Sequence, residues 1–115
     1  MQVTIWHNPR CSKSRQTLKL LEDNGIKPVI RKYLEDAPSP TELRNVLGKL
    51  GLTAADLVRR QESLFKELGL NNAGASEDQL LAAMTEHPKL IERPVVITDK
   101  GAALGRPPEN VLDIL

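Results

Sequence analysis

The sequence predicts an α/β fold with a mixed four-stranded sheet, and three stretches of the chain support this class. Residues 3–34 read as strand, helix and strand. Residues 95–115 predict two strands and a helix. The stretch between these two parts of the chain, about 39–88, has apolar residues at helical spacing and repeated capping signals. A chain of 115 residues has enough length for one core. We therefore expect a single domain over 1–115, with a helical insertion between a βαβ half and a ββα half.

The βαβ half begins with residues 3–6, where side chains alternate as in a strand. Apolar residues then recur at helical spacing up to Leu21, and Asn24-Gly25 supplies a left-handed cap that ends a helix. Residues 27–34 predict a second strand because Val29, Ile30 and Tyr33 are bulky. A helix joins the two strands, so we expect parallel pairing with a right-handed connection.

The helical insertion carries three spacings that are typical of capping boxes, which predict helix starts at Ser39, Thr53 and Ser76. Gly51 ends the first helix, and the second is expected to be short and to run through 57–60. A broken helical pattern continues to Gly69, followed by a predicted loop at 71–74. His87-Pro88 ends the last helix of this block.

The ββα half begins with Val95-Val96-Ile97, a continuous apolar strand. Asp99-Lys100-Gly101 predicts a turn, and residues 102–104 form the second strand of a hairpin. Pro107-Pro108-Glu109 then opens a terminal helix. Three of its residues are expected to face inward, namely Val111, Leu112 and Leu115.

Charge and hydropathy exclude several classes of function. Sixteen Lys and Arg against fifteen Asp and Glu leave a net charge of +1, which argues against nucleic-acid or membrane-surface partners. We find neither an apolar run of membrane-spanning length nor a signal-peptide pattern. Metal-ligand spacings and a Gly-rich phosphate loop are also missing from the sequence. A single cysteine cannot form an internal disulfide, so we expect a reducing compartment, the cytoplasm.

That cysteine, Cys11, lies where the first strand pattern gives way to the first helix. A thiol in the first turn of a helix faces unpaired backbone N–H groups and the positive end of the helix dipole, and both favour the thiolate. Nearby residues are expected to add positive charge: His7, Arg10, Lys13 and Arg15. Since the thiolate is the reactive form, Cys11 is the candidate nucleophile. The alternative is a small buried hydrophobe, the commoner fate of a lone cysteine.

Two familiar cysteine chemistries do not fit the local sequence. A low-molecular-weight phosphatase needs an arginine six positions after its cysteine, where this chain has Thr17. A dithiol oxidoreductase needs a second cysteine at the position of Ser14. The sequence leaves open two interpretations of His7 and Asn8: they influence the pKa of the cysteine thiol, or they simply end the first strand.

Five motifs are spread over nearly the whole chain: His7-Asn8-Pro9-Arg10-Cys11-Ser12-Lys13-Ser14-Arg15, Tyr33-Leu34-Glu35, Glu67-Leu68-Gly69-Leu70, Glu92-Arg93-Pro94-Val95-Val96 and Gly105-Arg106-Pro107-Pro108. Together they resemble the glutaredoxin-coupled arsenate reductase family, which has a thioredoxin-like three-layer fold. The loop around the cysteine is more basic here than in the best-known members of that family.

The resemblance implies that Cys11 attacks arsenate while three arginines bind the oxyanion: Arg59, Arg93 and Arg106. Arg60 beside Arg59 is the alternative for the first of these, and helix-end surface charge is the alternative for both. It further implies that His7 helps to lower the thiol pKa within a loop that includes Asn8, Ser14 and Arg15, and that Pro94 follows a cis bond. Arginine suits this chemistry because its planar fork matches two oxygens of a tetrahedral anion.

With only one cysteine, the chain cannot resolve its own adduct, so an outside thiol must do so. The resemblance implies glutathione as co-substrate and glutaredoxin as partner, with no bound cofactor. Two other classes stay open because a fold does not fix a function. One is a thioredoxin-like regulator that binds RNA polymerase, and the other is a monothiol protein that exchanges with glutathione without acting on arsenate.

Overall fold

The structure, a computed structural model, describes residues 2–70 and 75–115. Contacts divide the chain into two compact units. The sheet unit comprises the residues up to Asp36 together with 93–115, and the helical unit comprises 37–92. The helical insertion expected over about 39–88 corresponds to the second unit, and the expectation of one domain over 1–115 stays a prediction.

The sheet unit contains four strands, one α-helix and a terminal 3₁₀ helix: β1 Thr4–Trp6, α1 Ser12–Asp23, β2 Val29–Arg31, β3 Val95–Thr98, β4 Gly101–Leu104 and the 3₁₀ helix Pro108–Ile114. The strand order is β2-β1-β3-β4. β1 pairs in parallel with β2 and antiparallel with β3, which forms the hairpin with β4. The predicted α/β class and mixed four-stranded sheet are therefore confirmed.

The core of the sheet unit lies where α1 and the terminal 3₁₀ helix pack beside the sheet. Ile5 of β1 stands opposite Val96 of β3, and both are fully buried. Leu21 of α1 and Val111 of the 3₁₀ helix join them. This packing holds α1 in place through the apolar face of the helix. The first turn of α1 therefore lies at the end of the loop that follows β1.

Two elements of the sheet unit differ from the predictions. The second strand spans three residues, and Val29 and Ile30 are about half exposed, because β2 is at the edge of the sheet. The terminal helix is 3₁₀ rather than α-helical. With three residues per turn, 108, 111 and 114 share a face, so Leu112 points outward and is 41% exposed.

The helical unit contains four α-helices and one 3₁₀ turn: α2 Pro40–Leu50, α3 Ala54–Leu57, α4 Ser63–Glu67, α5 Glu77–Glu86 and the 3₁₀ turn Pro88–Leu90. The three predicted starts are confirmed. Ser39 and Ser76 accept hydrogen bonds from the N–H groups three residues on, and Asp56 accepts from Thr53. Gly51 ends α2, as expected, and has a left-handed conformation.

The second helix of this unit is shorter than predicted. It ends at Leu57, because Val58 is extended and forms an antiparallel bridge with Ile91. Arg59 and Arg60 therefore follow the helix. Arg60 still donates to the Ala55 carbonyl in the last turn of α3, which agrees with the interpretation as a helix-end charge, whereas Arg59 is largely buried and pairs with carboxylates. The loop predicted at 71–74 lies outside the described residues.

Candidate active site

Cys11 is the N-cap residue of α1 and has an extended backbone. Its N–H donates to the carbonyl of Asn8 at 3.0 Å, which closes a tight turn, and its carbonyl accepts the N–H of Arg15 at 3.0 Å. The side chain is partly buried. The thiol thus lies at the helix start predicted from the sequence, open enough to be reached by a small reactant.

Three donors face the Cys11 sulfur: the backbone N–H groups of Ser14 and Lys13 and the guanidinium of Arg93. Burial is the largest single influence and raises the pKa of the thiol. The Ser14 N–H, the hydrogen bond and charge of Arg93, and the Lys13 N–H outweigh it, so the pKa lies below its ordinary value of 9.0. These groups favour the thiolate, the form that acts as a nucleophile.

His7 is buried behind this turn, and its Nδ1 lies 2.7 Å from the Ser14 hydroxyl. Ser14 is fully buried and also accepts the N–H of Asn8 at 3.0 Å. Burial is the main cause that lowers the pKa of His7 from 6.5, and the charges of Lys32 and Arg15 lower it further. His7 is therefore neutral near pH 7, and the expectation that it adds positive charge is wrong.

The loop before α1 is held by polar contacts of its own side chains. Asn8 accepts the N–H of Arg10 on its Oδ1 at 3.0 Å. Arg15 donates from Nη1 to the carbonyl of Pro9 at 2.9 Å. Together with the His7–Ser14 contact, these bonds fix the turn that aims backbone N–H groups at Cys11.

Arg93 faces the thiol, and Arg106 contacts Arg93. The Arg93–Pro94 bond is cis, as expected, and the Arg106–Pro107 bond is also cis. Arg106 donates from Nη1 to the carbonyl of Arg93 at 3.2 Å. The sheet unit therefore brings Arg93 to Cys11. Arg106 is exposed and contacts the backbone oxygen of Arg93, and its approach to the thiol stays a prediction.

Gly105 is a site residue whose role the sequence analysis missed. Its N–H donates to the carbonyl of Pro94 at 2.9 Å. A Cβ at this position would overlap Thr17 Oγ1 and lie 2.7 Å from Pro94 Cγ. Thr17, which donates to the Lys13 carbonyl at 2.8 Å, thus packs on a glycine that has no room for any side chain. The sequence signals were its position after a predicted strand and its place in the Gly105-Arg106-Pro107-Pro108 motif, and neither indicates contact with Thr17.

Arg59 belongs to the helical unit, where two carboxylates flank its guanidinium. Its Nε lies 3.5 Å from Glu92 Oε1 and its Nη1 lies 3.9 Å from Glu62 Oε1. Its side chain is only 14% exposed. Arg60 is exposed, donates to the carbonyl of Ala55 at 3.2 Å and lies over the Phe65 ring. The approach of either arginine to Cys11 stays a prediction.

Residues 2–70 and 75–115 lack two other types of site. No group of three or more His, Cys, Asp or Glu side chains in these ranges is placed to hold a metal ion. None of the helices described there has the length and apolar character needed to cross a membrane.

Comparisons with known proteins all identify the same family of relatives. A sequence model of the ArsC family matches residues 6–114. The chain is 48% identical to the arsenate reductase of Haemophilus influenzae over 116 residues, which cover 100% of each protein. It is 50% identical to the uncharacterized protein YfgD of Escherichia coli, over 99% of this chain and 97% of that one. The solved structure of the arsenate reductase from Vibrio cholerae superposes with a TM-score of 0.97 at 54% identity, over 100% of this chain and 98% of the other.

Proposed function

We propose that this chain, which belongs to the ArsC family, is an arsenate reductase with Cys11 as its nucleophile. The observation that carries the proposal is the Cys11 sulfur, which faces two backbone N–H groups and the Arg93 guanidinium. The names of the Haemophilus and Vibrio relatives support arsenate as substrate.

In the first step, Arg93 and Arg106 hold the arsenate dianion by their guanidinium forks. Their charge reduces the repulsion between the thiolate and the anion. The Cys11 sulfur attacks arsenic, an As–O bond breaks, and the departing oxygen leaves as water after protonation. Donors that face the developing charge lower the barrier of this step.

In the second step, an outside thiol completes the reduction because Cys11 is the only cysteine. The attacking thiolate bonds to the Cys11 sulfur, and the S–As bond breaks with its electron pair on arsenic. Arsenic passes from the +5 to the +3 state and leaves as arsenite, while Cys11 is left in a mixed disulfide. A second thiol attacks this disulfide and restores the Cys11 thiolate. We assign these roles to glutathione and then glutaredoxin, and the need for a reducing thiol pool places the protein in the cytoplasm.

Arg59 is the third proposed ligand of the oxyanion. Glu62 and Glu92 hold its guanidinium within the helical unit and keep it ordered. Arg60 is the matched alternative in the next position. Arg59→Ala should raise KM for arsenate or lower kcat at least tenfold, whereas Arg60→Ala should change either by less than threefold. The reverse result would assign the third contact to Arg60.

The deciding experiment is arsenite production from arsenate with glutathione and glutaredoxin. Cys11→Ser should reduce turnover to the background of the reagents while circular dichroism stays unchanged. Omission of glutathione should have the same effect on the parental protein. A Cys11→Ser variant that still produces arsenite, or a parental protein that does not, would refute the proposal.

A further inference from the structure

Positive charge is concentrated around Cys11 beyond the arginines that the proposed function uses. Residues 7–21 contain four Lys and Arg and no Asp or Glu. Two of the four cations are already engaged, because Lys19 forms an ion pair and Arg15 holds the loop before α1. The other two are Arg10, which is exposed, and Lys13, which is partly exposed. Their side chains form no hydrogen bond or ion pair with any residue that the structure describes.

The position of these two cations is unfavourable for the helix. Lys13 is the second residue of α1, and Arg10 precedes the N-cap residue, so both charges lie near the positive end of the helix dipole. The three helices with capping boxes show the opposite pattern, since α2, α3 and α5 each have a carboxylate in the first turn. The first turn of α1 has none. The stability of α1 therefore does not explain the two charges.

Both charges are close enough to act on whatever approaches the Cys11 sulfur. Arg10 is the adjacent residue, and the backbone N–H of Lys13 faces the sulfur. Consecutive Cα atoms are about 3.8 Å apart and a Lys or Arg side chain extends about 6 Å, so both charges lie within roughly 12 Å of the Cys11 Cα atom. The Debye length is about 30 Å at 0.01 M ionic strength and about 8 Å at 0.15 M. An approaching anion is therefore attracted by both cations in dilute buffer, and less strongly in salt.

We propose that Arg10 and Lys13 attract anionic reactants to the Cys11 thiolate and so make this thiol selective for anions over neutral molecules. A thiolate repels an approaching anion, and fixed cations beside it offset that repulsion and raise the local concentration of the anion. The two residues act at a distance and take part in no bond-making step. The proposal deepens the proposed function and rests on it only for the identity of the anion, arsenate.

The test compares two alkylating reagents, so its outcome does not depend on arsenate turnover. Iodoacetate carries one negative charge and iodoacetamide is neutral, and each alkylates the Cys11 sulfur with loss of iodide. The ratio of the two rate constants cancels any change in the pKa of the thiol, because both reagents react with the same thiolate. In a variant with both Arg10→Ala and Lys13→Ala, the ratio of the iodoacetate to the iodoacetamide rate should fall about three- to fivefold at about 0.01 M ionic strength. At about 0.5 M it should fall by less than about 1.5-fold.

Two sets of variants separate charge from contact and from folding. Arg10→Lys together with Lys13→Arg keeps both charges and should keep the parental ratio. Lys27→Ala is the matched control, because Lys27 is an exposed lysine that precedes β2, at the end of that strand opposite the Cys11 loop, and its ratio should also stay parental. The urea midpoint of the double alanine variant should be parental or higher, since α1 loses unfavourable charges.

Two outcomes would overturn the proposal. One is a double alanine variant that keeps the parental ratio at low ionic strength. The other is a decrease in the ratio that is equally large in high salt, because a local contact would then be responsible and not the attraction of an anion. A parental protein that shows the predicted ratios and does not reduce arsenate would uphold this proposal and refute the proposed function.

Discussion

The two units hold their key side chains in opposite electrostatic surroundings. The sheet unit has ten Lys and Arg against seven Asp and Glu, and it surrounds the Cys11 sulfur with N–H groups and a guanidinium. The helical unit has six against eight and surrounds Arg59 with carboxylates. The first arrangement favours a reactive anion, and the second favours an ordered cation. The sheet unit therefore stabilises a reactive thiolate, and the helical unit holds a positive charge in place.

We expect the largest effect from replacement of Arg93, whose guanidinium faces the Cys11 thiol. Arg93→Ala should lower arsenate turnover by about 100- to 1,000-fold, the usual loss for a preorganised oxyanion donor. It should also move the pH dependence of Cys11 alkylation upward, since the guanidinium lowers the pKa of the thiol. Arg93→Lys should restore part of both.

A matched control for this variant lies in the other unit. Arg44 is an exposed arginine that pairs with Asp78, and Arg44→Ala should leave turnover and alkylation at parental values. An Arg93→Ala protein that retains parental turnover would remove this arginine from the site.

The next effect contrasts a glycine from each unit. Gly105→Ala should destabilise the protein by about 1–3 kcal/mol, because the new Cβ would overlap Thr17 and Pro94. Gly48→Ala, inside α2 with nothing within 4 Å of its added Cβ, should instead stabilise by up to about 1 kcal/mol. Urea unfolding measures both values. Changes of the same sign would contradict the close packing at Gly105.

A smaller effect separates two ion pairs of the helical unit. Glu92→Gln should lower the free energy of unfolding by about 1 kcal/mol, because its contact with Arg59 is largely buried. Asp78→Asn should change it by less than about 0.5 kcal/mol, although the pair with Arg44 is shorter, at 3.1 Å, since both partners are exposed. Equal values from urea titrations would mean that burial does not set the strength of these pairs.

The smallest effect is a dependence of stability on pH. The pKa of His7 is lower in the folded than in the unfolded chain, so the unfolded chain binds more protons below about pH 6.5. Stability should therefore fall as the pH drops through 6.5 towards the folded value, by less than about 1.4 kcal/mol per pH unit. His7→Asn should lose less stability than the parental protein between pH 7.5 and 5.5. Parallel profiles for the two proteins would show that His7 does not titrate differently on folding.

The sequence predicted those features that depend on neighbours along the chain. Each of these features is set within a few residues: the strand-to-helix change at Cys11, the capping boxes at Ser39 and Ser76, and the left-handed glycine after α1 at Gly25. Local chemistry of this kind can be read directly from residue order.

Features that depend on distant partners could not be predicted in the same way. α3 ends early because Val58 pairs with Ile91, thirty-three positions on. The neutral state of His7 follows from burial and from Lys32 on another segment. The carboxylates around Arg59 include Glu92, which residue order alone does not bring near.

The Ser14 hydroxyl, fully buried between His7 and the Asn8 N–H, has a consequence for protein engineering. Its position is where a dithiol protein carries a second cysteine, but here the oxygen already accepts one hydrogen bond and contacts the imidazole. Sulfur is larger and a weaker acceptor, so a Ser14→Cys variant would loosen the turn that supports Cys11 before it could serve as a resolving thiol. A self-sufficient version of this protein would need its second cysteine elsewhere. Under the proposed function, the turnover rate of the natural protein would depend on the supply of reduced thiols around it.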